Sequence, residues 1–291
     1  MLIDLQKIDT GFCDRLRQVT FCIALAKLKK IRKLSIYEIK NKECPFRFID
    51  HCEIKNFKIL ELKKKPVSNL NIQMTPYNSS LNMTNCMLHN PYKELDNKLL
   101  LFEWEKSYKD IIFSKEIQKK ANNIIGKKKY FIGIHLRLTD KIASYIDKIR
   151  YSFEKDIITV SEYKYLKKNL IKYLKKFFIS KNIFVASDDR SAKKEVSRIL
   201  LRSKYNFFSN NNKFSNKFRQ TSGKDFLIDL LVLSKSIGIL TTGGNVAYTA
   251  SLISPKKIKI YNYSKSGALN ITLYLVSKFL NIVNKFITKN L

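Results

Sequence analysis

The chain has 291 residues, of which 45% are hydrophobic, so it can bury a substantial core, and wholesale disorder is excluded. It contains no uninterrupted apolar stretch of about 18 residues, and its first residues, MLIDLQKIDTGF, lack a basic region ahead of an apolar one, which argues against a membrane span and a secretory signal. The net charge of +32 would attract polyanions, but lysines spread along the whole chain favour a composition bias with a solvated surface.

The first predicted elements form a βαβ unit. LIDLQKI (2–8) is typical of a short strand, DRLRQVTFCIALAKLKKI (14–31) has apolar residues at helical spacing, and KLSIYEI (33–39) alternates as a strand does. Asp14 is placed to cap or begin the helix. Strand, tight turn, helix and strand follow one another in the order that this unit requires.

The middle of the chain is less regular. Most of residues 63–97 are polar, and the pattern predicts a loop or a lid. LLLFEW (99–104) is predicted as a strand and SKEIQKKANNII (114–125) as a helix. GKKK (126–129) then breaks the pattern, and we place a domain boundary near it.

The second half of the chain alternates strands and helices more clearly. This alternation predicts an α/β fold with a mostly parallel sheet covered on both faces. The predicted strands are 130–136, 182–187, 205–208, 237–241 and 257–262, and the predicted helices are 161–178, 190–203, 224–235 and 245–253.

The C-terminal segment LYLVSKFLNIVNKFITKNL is amphipathic. Serine, lysine, asparagine and threonine fall on one helical face, and large apolar residues fall on the other. The pattern predicts a helix packed on the protein, which we favour, or a helix lying on a membrane surface.

Cysteine and histidine give no strong signal of a metal site. The five cysteines lie in the first third of the chain and form no CxxC motif. Cys44, His51 and Cys52 match no standard zinc spacing and lack a fourth ligand. We therefore expect reduced thiols that act as small hydrophobic side chains.

Polar residues gather where the apolar strands of the second half end. His135, Arg137 and Lys141 follow FIGI, SDD follows NIFVA, and TTGGN follows IGIL at the start of a helix. Ligands of open α/β sheets bind beyond the carboxyl ends of the strands, and the N–H groups of a helix start suit a phosphate. Arg137 could add two parallel hydrogen bonds to a diphosphate. Each feature alone also fits a structural histidine, a helix cap or a turn, but together they predict a nucleotide site.

The same motifs resemble those of the fucosyltransferase superfamily. IGIHLRLTDK resembles its His-x-Arg motif, as found in α1,6-fucosyltransferases and the rhizobial nodulation fucosyltransferase. VASDD, LIDLLVLSKSIGILTTGGNVAY and GFCDRLRQVTFCIALAKLKK resemble further blocks of that superfamily, and all four occur in the family's order. The resemblance spans most of residues 10–255.

The resemblance implies a GT-B-like α/β architecture with two Rossmann-type lobes and a cleft between them. Residues 1–126 would form the acceptor-side lobe, residues 127–270 the nucleotide-sugar-binding lobe, and residues 271–291 a C-terminal amphipathic helix. The implied reaction is an inverting, metal-independent transfer of L-fucose from GDP-fucose to a glycan or glycolipid acceptor, with no cofactor.

The resemblance also implies roles for single residues. Arg137 would hold the β-phosphate as GDP departs, with Lys141 assisting, so these two are the predicted catalytic residues. Asp229 would contact the guanine edge. The predicted nucleotide-binding residues are His135, Arg137, Asp188, Asp229, Thr242, Gly244 and Asn245.

Three departures from the family pattern bear on specificity. Leu138 replaces the family's second arginine, and Gly243, Gly244 and Asn245 replace its serine-rich turn. In the α1,6 enzymes an acidic residue follows the Thr-Asp-Lys run, but this sequence has no acidic residue at the matching position. A general base therefore stays unassigned. The acceptor and the linkage therefore stay open.

Other interpretations remain at this point. One keeps the fold but uses a different GDP- or ADP-linked sugar. Another, from a different class, is a basic nucleic-acid-binding protein, but the sequence carries no helix-turn-helix, zinc-finger or RNA-binding signature, and lysine far outnumbers arginine. We expect no specific nucleic-acid partner, and a cytoplasmic location, with peripheral attachment to an anionic inner membrane face left open.

Overall fold

The chain folds as an α/β protein in which strands alternate with helices. The computed structural model describes residues 1–5, 11–40, 46–64, 95–138, 142–143, 158–211, 223–243 and 245–263. The chain divides into two compact units. The first comprises Met1–Asn123, Phe226–Lys235 and Tyr248–Lys257, and the second comprises Ile124–Asp225, Ser236–Ala247 and the chain from Ile258 onward.

The first unit contains a small parallel sheet. Its strands β1 (Leu2–Asp4), β2 (Lys33–Tyr37) and β4 (Lys58–Glu61) pair in the order β1-β2-β4, with Ile3 opposite Ile36. Two further short strands, β3 (Cys52–Ile54) and β5 (Ile111–Phe113), form an antiparallel pair. The helices of this part are α1 (Phe12–Leu28), α2 (Asn97–Ser107) and α3 (Lys115–Ile125).

A buried ion pair ties α1 to the end of β2. The side chains of Arg15 and Glu38 are both fully buried, and Arg15 Nη1 donates to Glu38 Oε1 at 2.9 Å. The other carboxylate oxygen of Glu38 accepts from the backbone N–H of Phe48 at 2.7 Å. Desolvation raises the pKa of Glu38, while the hydrogen bonds from Phe48 and Arg15 act in the opposite direction. The pair thus fixes the first turn of α1 against the loop after β2.

The prediction of a strand at 99–104 was wrong, because this segment lies within α2. Asp96 caps the helix by accepting a hydrogen bond from the backbone N–H two residues later at 2.7 Å. Leu100 and Trp104, four residues apart, are buried on one helical face. An uninterrupted apolar run does not separate a strand from a helix, and here the cap and the packing of Trp104 decide for a helix.

The second unit contains a five-stranded parallel sheet. The strand order is β10-β9-β6-β11-β12, with β6 in the centre. Its strands are β6 (Ile132–Leu136), β9 (Asn182–Ser187), β10 (Asn206–Phe208), β11 (Gly238–Thr241) and β12 (Lys259–Asn262). A two-stranded parallel pair of β7 (Ile142–Ala143) and β8 (Ile158–Thr159) accompanies it.

Helices connect these strands, as the sequence pattern predicts. They are α4 (Val160–Phe177), α5 (Arg190–Arg202), α6 (Gly223–Leu233) and α7 (Asn245–Ile253), and most of their bounds fall within one or two residues of the predicted ones. Ile134 and Leu136 of β6 pack in one core with Leu166 and Leu170 of α4. Because side chains alternate along a strand, His135 lies on the other face of the sheet from this core.

Two predictions fall on residues outside the described ranges. The predicted loop or lid lies mostly within residues 65–94, and the predicted C-terminal helix comprises residues 271–291. The domain limits at 126 and 270 stay predictions. None of the helices in the described ranges is long and apolar enough to cross a membrane.

Candidate active site

The carboxyl ends of three neighbouring strands meet at one edge of the sheet of the second unit. In the order β9-β6-β11, His135 near the end of β6 lies opposite Thr241 of β11. Arg137 directly follows β6, Asp188 directly follows β9, and Thr242 directly follows β11. The parallel sheet therefore brings four of the predicted site residues to one edge, as the strand-end argument requires.

His135 is a buried histidine that stays neutral at physiological pH. Its side chain is 7% exposed. Burial, reinforced by the nearby charge of Arg137, lowers the pKa of His135 to about 3, although a hydrogen bond with the Gly243 backbone acts in the opposite direction. The ring therefore contributes hydrogen bonds to this edge but no charge.

The hydroxyl of Thr241 fixes the orientation of the His135 ring. His135 Nδ1 lies 3.1 Å from Thr241 Oγ1, and this hydroxyl donates to the carbonyl of Gly243 at 3.1 Å. The contact with Thr241 therefore holds the ring in place whichever of the two atoms donates.

The backbone of Arg137 is anchored by Thr242. The N–H of Arg137 donates to Thr242 Oγ1 at 2.9 Å, and the N–H of Thr242 donates to the carbonyl of His135 at 3.1 Å. Thr242 is fully buried. Its hydroxyl thus holds the residue that bears the guanidinium, and its predicted contact with a nucleotide stays a prediction.

Asp188 anchors the next residue of the same segment. Asp188 Oδ1 accepts from the backbone N–H of Leu138 at 2.9 Å. Leu138 itself is 4% exposed and belongs to the core that contains Leu136. The N–H groups of Arg137 and Leu138 are therefore each bonded to a side chain of a neighbouring strand end, which leaves the half-buried side chain of Arg137 on a rigid support.

The turn between β11 and α7 depends on a glycine. Gly243 has a φ of 128°, which L side chains rarely adopt, and its N–H donates to Thr241 Oγ1 at 3.1 Å. Asn245 begins α7, the helix start that the sequence predicts to face the nucleotide. Gly244 lies outside the described residues.

The structure places neither of the two remaining predicted residues, Asp229 and Lys141, at this edge. Asp229 lies on α6 and is 6% exposed, and it belongs to the first compact unit. Its predicted contact with guanine stays a prediction. Lys141, the second predicted catalytic residue, lies outside the described residues.

Thr241 is the residue whose role the sequence analysis missed. It was noted only as part of the TTGGN turn, although its hydroxyl bonds to both His135 and Gly243. The signal is the register of β6 against β11, which places Thr241 opposite His135. This register follows from the sheet order, which neither strand encodes by itself.

The residues that the structure describes form no metal site. They include no cluster of three or more histidine, cysteine, aspartate and glutamate side chains that could hold an ion. Cys13, Cys22 and Cys52 are buried and form no disulfide, and burial raises the pKa of Cys22 to about 12. These three cysteines therefore act as small hydrophobic side chains, as predicted.

Comparison with known proteins assigns the family. The model of the GDP-fucose protein O-fucosyltransferase family matches residues 14–251, which is most of the chain. The chain belongs to the GDP-fucose protein O-fucosyltransferase family. The matched range includes the strand-end edge with His135 and Arg137, and the predicted membership of the fucosyltransferase superfamily is confirmed. No curated protein matches this fucosyltransferase in sequence.

Solved fucosyltransferase structures share the fold. A structure of the fucosyltransferase NodZ from Bradyrhizobium matches with a TM-score of 0.55 at 14% identity, covering 91% of this chain and 96% of NodZ. NodZ α1,6-fucosyltransferase soaked with GDP-fucose matches with a TM-score of 0.52 at 15% identity, covering 89% of this chain and 94% of that one. POFUT1 in complex with GDP-fucose matches with a TM-score of 0.53 at 12% identity, covering 89% and 97%.

These findings confirm the α/β, GT-B-like fold class that the sequence analysis expected. The family also confirms the predicted enzyme class, a glycosyltransferase of the GDP-fucose-dependent fucosyltransferase type. The roles of single residues at the strand-end edge do not follow from the comparisons.

Proposed function

We propose that this fucosyltransferase transfers L-fucose from GDP-fucose with inversion at the anomeric carbon, and that Arg137 holds the departing diphosphate. The observation that carries the proposal is the double anchoring of the Arg137 segment. Thr242 accepts from the N–H of Arg137, and Asp188 accepts from the N–H of Leu138. A cation on such a support can meet developing charge without first reorganising.

The charge that needs stabilising lies on the leaving group. As the bond between the sugar and the diphosphate breaks, negative charge builds on the terminal phosphate of GDP. A guanidinium can donate two parallel hydrogen bonds to two phosphate oxygens, which a lysine ammonium cannot do in the same geometry. Lys141 is proposed to add a second positive charge.

His135 is proposed to bind the donor without supplying charge. At neutral pH its ring is uncharged, because burial holds its pKa far below 7. With Nδ1 held by Thr241, Nε2 is proposed to form a hydrogen bond with a sugar hydroxyl of the donor. This assigns to His135 a part in orientation, and to Arg137 the electrostatic stabilisation of the leaving group.

We also propose that no metal ion takes part. Arg137 favours this, because it places a fixed positive charge at the strand-end edge that can stabilise the diphosphate without a metal cation. Turnover should then be the same in excess EDTA as in Mg²⁺. A loss of activity in EDTA that Mg²⁺ or Mn²⁺ restores would contradict the proposal.

The proposed acceptor is the hydroxyl of a glycan or glycolipid. The enzyme is proposed to act in the cytoplasm. A second candidate is a serine or threonine hydroxyl of a protein, which the description of the family favours. Transfer of radiolabelled fucose to oligosaccharides and to folded protein domains, assayed side by side, separates the two. The anomeric configuration of the product, read by NMR, tests inversion.

The donor is tested by a thermal-shift panel. A ligand that binds only the folded state raises Tm in proportion to the logarithm of its concentration above Kd. GDP and GDP-fucose should raise Tm, whereas ADP, UDP and their sugars should not. Arg137→Ala should abolish most of the shift with GDP. A shift with ADP or UDP as large as that with GDP would favour a different nucleotide sugar.

A further inference from the structure

Large apolar side chains are exposed at the amino edge of the sheet of the second unit, opposite the strand-end edge that carries Arg137. Ile179 is 100% exposed, Tyr130 63%, Leu201 58% and Ile237 40%. Three of them stand just before a strand: Tyr130 before β6, Ile179 before β9 and Ile237 before β11. Leu201 lies in the last turn of α5, which leads to β10. We call these four residues the amino-edge face.

Hydrogen bonds show that these positions are neighbours. Ser180 Oγ donates to the carbonyl of Tyr130 at 3.0 Å, which joins the start of β9 to the start of β6. The N–H of Ile237 donates to the carbonyl of Phe131 at 2.9 Å, which joins the start of β11 to the same strand. In the sheet order, Ile179, Tyr130 and Ile237 therefore stand in a row at the starts of three adjacent strands.

Lysines surround this row. Exposed lysines stand beside the apolar residues in the same connections and at the end of α4: Lys127, Lys129, Lys175, Lys181 and Lys204. The acidic residues whose side chains the structure describes in this unit follow β9 or lie on α5 and α6 away from this edge: Asp188, Asp189, Glu195 and Asp225. The edge is thus positively charged without compensating acids among the described side chains of this unit.

Helix ends explain only part of this arrangement. Lysines near the carboxyl ends of helices interact favourably with the helix dipole, which accounts for Lys175. The dipole gives no reason for four large apolar side chains to stand in water beside them. Exposed apolar side chains, including a tyrosine, with lysines around them are typical of a protein surface that binds at a lipid headgroup layer.

We propose that the amino-edge face docks on the surface of an anionic lipid bilayer. Ile179, Leu201 and Ile237 would enter the headgroup region, and Tyr130 would place its ring at that level with its hydroxyl toward water. The lysines would lie against lipid phosphates. Because the strands of the sheet are parallel, Arg137 at their carboxyl ends would face away from the lipid. This inference does not depend on the proposed donor or on the role of Arg137.

The apolar part is tested by co-sedimentation with vesicles of phosphatidylcholine and phosphatidylglycerol. Ile179→Ser should weaken binding about tenfold, because the transfer of an apolar side chain from water into the headgroup region is lost. The variant should still fold, because this fully exposed isoleucine has no folded-state contacts to lose. The matched control is Leu99→Ser, a leucine 47% exposed on α2 in the first unit, which should bind as the wild type does. Circular dichroism and Tm check that both variants are folded.

The charge part needs a control for net charge, because any protein of charge +32 is drawn to anionic vesicles. Lys127→Gln with Lys129→Gln should weaken binding about twenty-five-fold, from about fivefold for each lysine near the lipid. Lys164→Gln with Lys194→Gln removes the same charge from exposed positions near the other ends of α4 and α5. Lys164 is about 16 Å along α4 from Lys175, beyond the screening length of about 8 Å, so this pair should change binding less than threefold.

Three results would overturn the proposal. One is the absence of wild-type binding to vesicles with phosphatidylglycerol at physiological salt. Another is equal weakening by the two lysine pairs, which would show attraction to net charge alone. The third is concentration-dependent self-association that Ile179→Ser abolishes while vesicle binding is unchanged, because the face would then bind a second copy of the chain.

Discussion

The buried His135 should make the stability of the protein depend on pH in a way that one substitution removes. The ring is 7% exposed, and burial lowers its pKa to about 3 in the folded protein, against 6.5 for an exposed histidine. Below pH 6.5 the unfolded chain binds a proton at this position, whereas the folded protein does not until the pH nears 3. Acid therefore favours the unfolded state between pH 6.5 and about 3. The part of the stability that depends on an unprotonated His135 is fully present only above pH 6.5.

The size of the effect follows from the same two values. Each pH unit between the unfolded and folded pKa costs about 1.4 kcal/mol of unfolding free energy. Going from neutral pH to pH 5 should therefore cost about 2 kcal/mol through His135 alone. His135→Gln keeps a polar side chain that cannot be protonated, so this part of the pH dependence should vanish in the variant.

Urea unfolding of both proteins at several pH values between 7 and 5 measures the effect. His135→Gln should be less stable at pH 7, because packing and the bond to Thr241 are lost, and the gap should close by about 2 kcal/mol by pH 5. Carboxylates titrate in both proteins and cancel in the difference. Parallel pH curves for the two proteins, or an NMR titration of the ring with a midpoint near 6.5, would refute the reasoning.

Three further substitutions test the packing. Gly238→Ala should cost about 1–3 kcal/mol, because a Cβ there would lie 2.2 Å from a ring carbon of Phe178; a Tm equal to that of the wild type would contradict this. Asp189→Ala should cost about 1 kcal/mol, because Asp189 Oδ1 caps α5 by accepting from a backbone N–H at 2.6 Å, and Asp189→Asn, which keeps the acceptor, should cost less. Arg15→Met should cost about 3–5 kcal/mol by urea unfolding, because it leaves the carboxylate of Glu38 buried without its partner. Adding Glu38→Gln should recover part of that loss, and strictly additive losses would speak against the ion pair.

The fold was predictable where a segment carries its own period. The helices α4, α5 and α7 have clear apolar stripes and are flanked by apolar strands, so their bounds came within one or two residues. The error at 99–104 arose because a continuous apolar run fits either type of element. The short antiparallel strands β3 and β5 were not predicted, since three residues show no period and their pairing is a tertiary contact.

The location of the site residues was predictable from the sequence, whereas the hydrogen bonds between them were not. Strand ends in the sequence located His135, Arg137, Asp188 and Thr242 at one edge, because carboxyl ends of parallel strands meet there. The use of the Thr242 and Asp188 oxygens on backbone N–H groups depends on the order β9-β6-β11. A sequence read one strand at a time does not contain that order, so these contacts required the structure.

The most direct test of the proposed mechanism is the rate of GDP release from GDP-fucose in the wild type and in Arg137→Ala at saturating donor. Removing a fixed donor to developing charge should lower turnover by about a hundredfold to a thousandfold, and Arg137→Lys should restore only part of it. Arg198→Ala, which removes an exposed arginine on α5, serves as the control and should leave the rate unchanged. Turnover by Arg137→Ala within a few fold of the wild type, in a variant that is folded, would contradict the role assigned to this guanidinium.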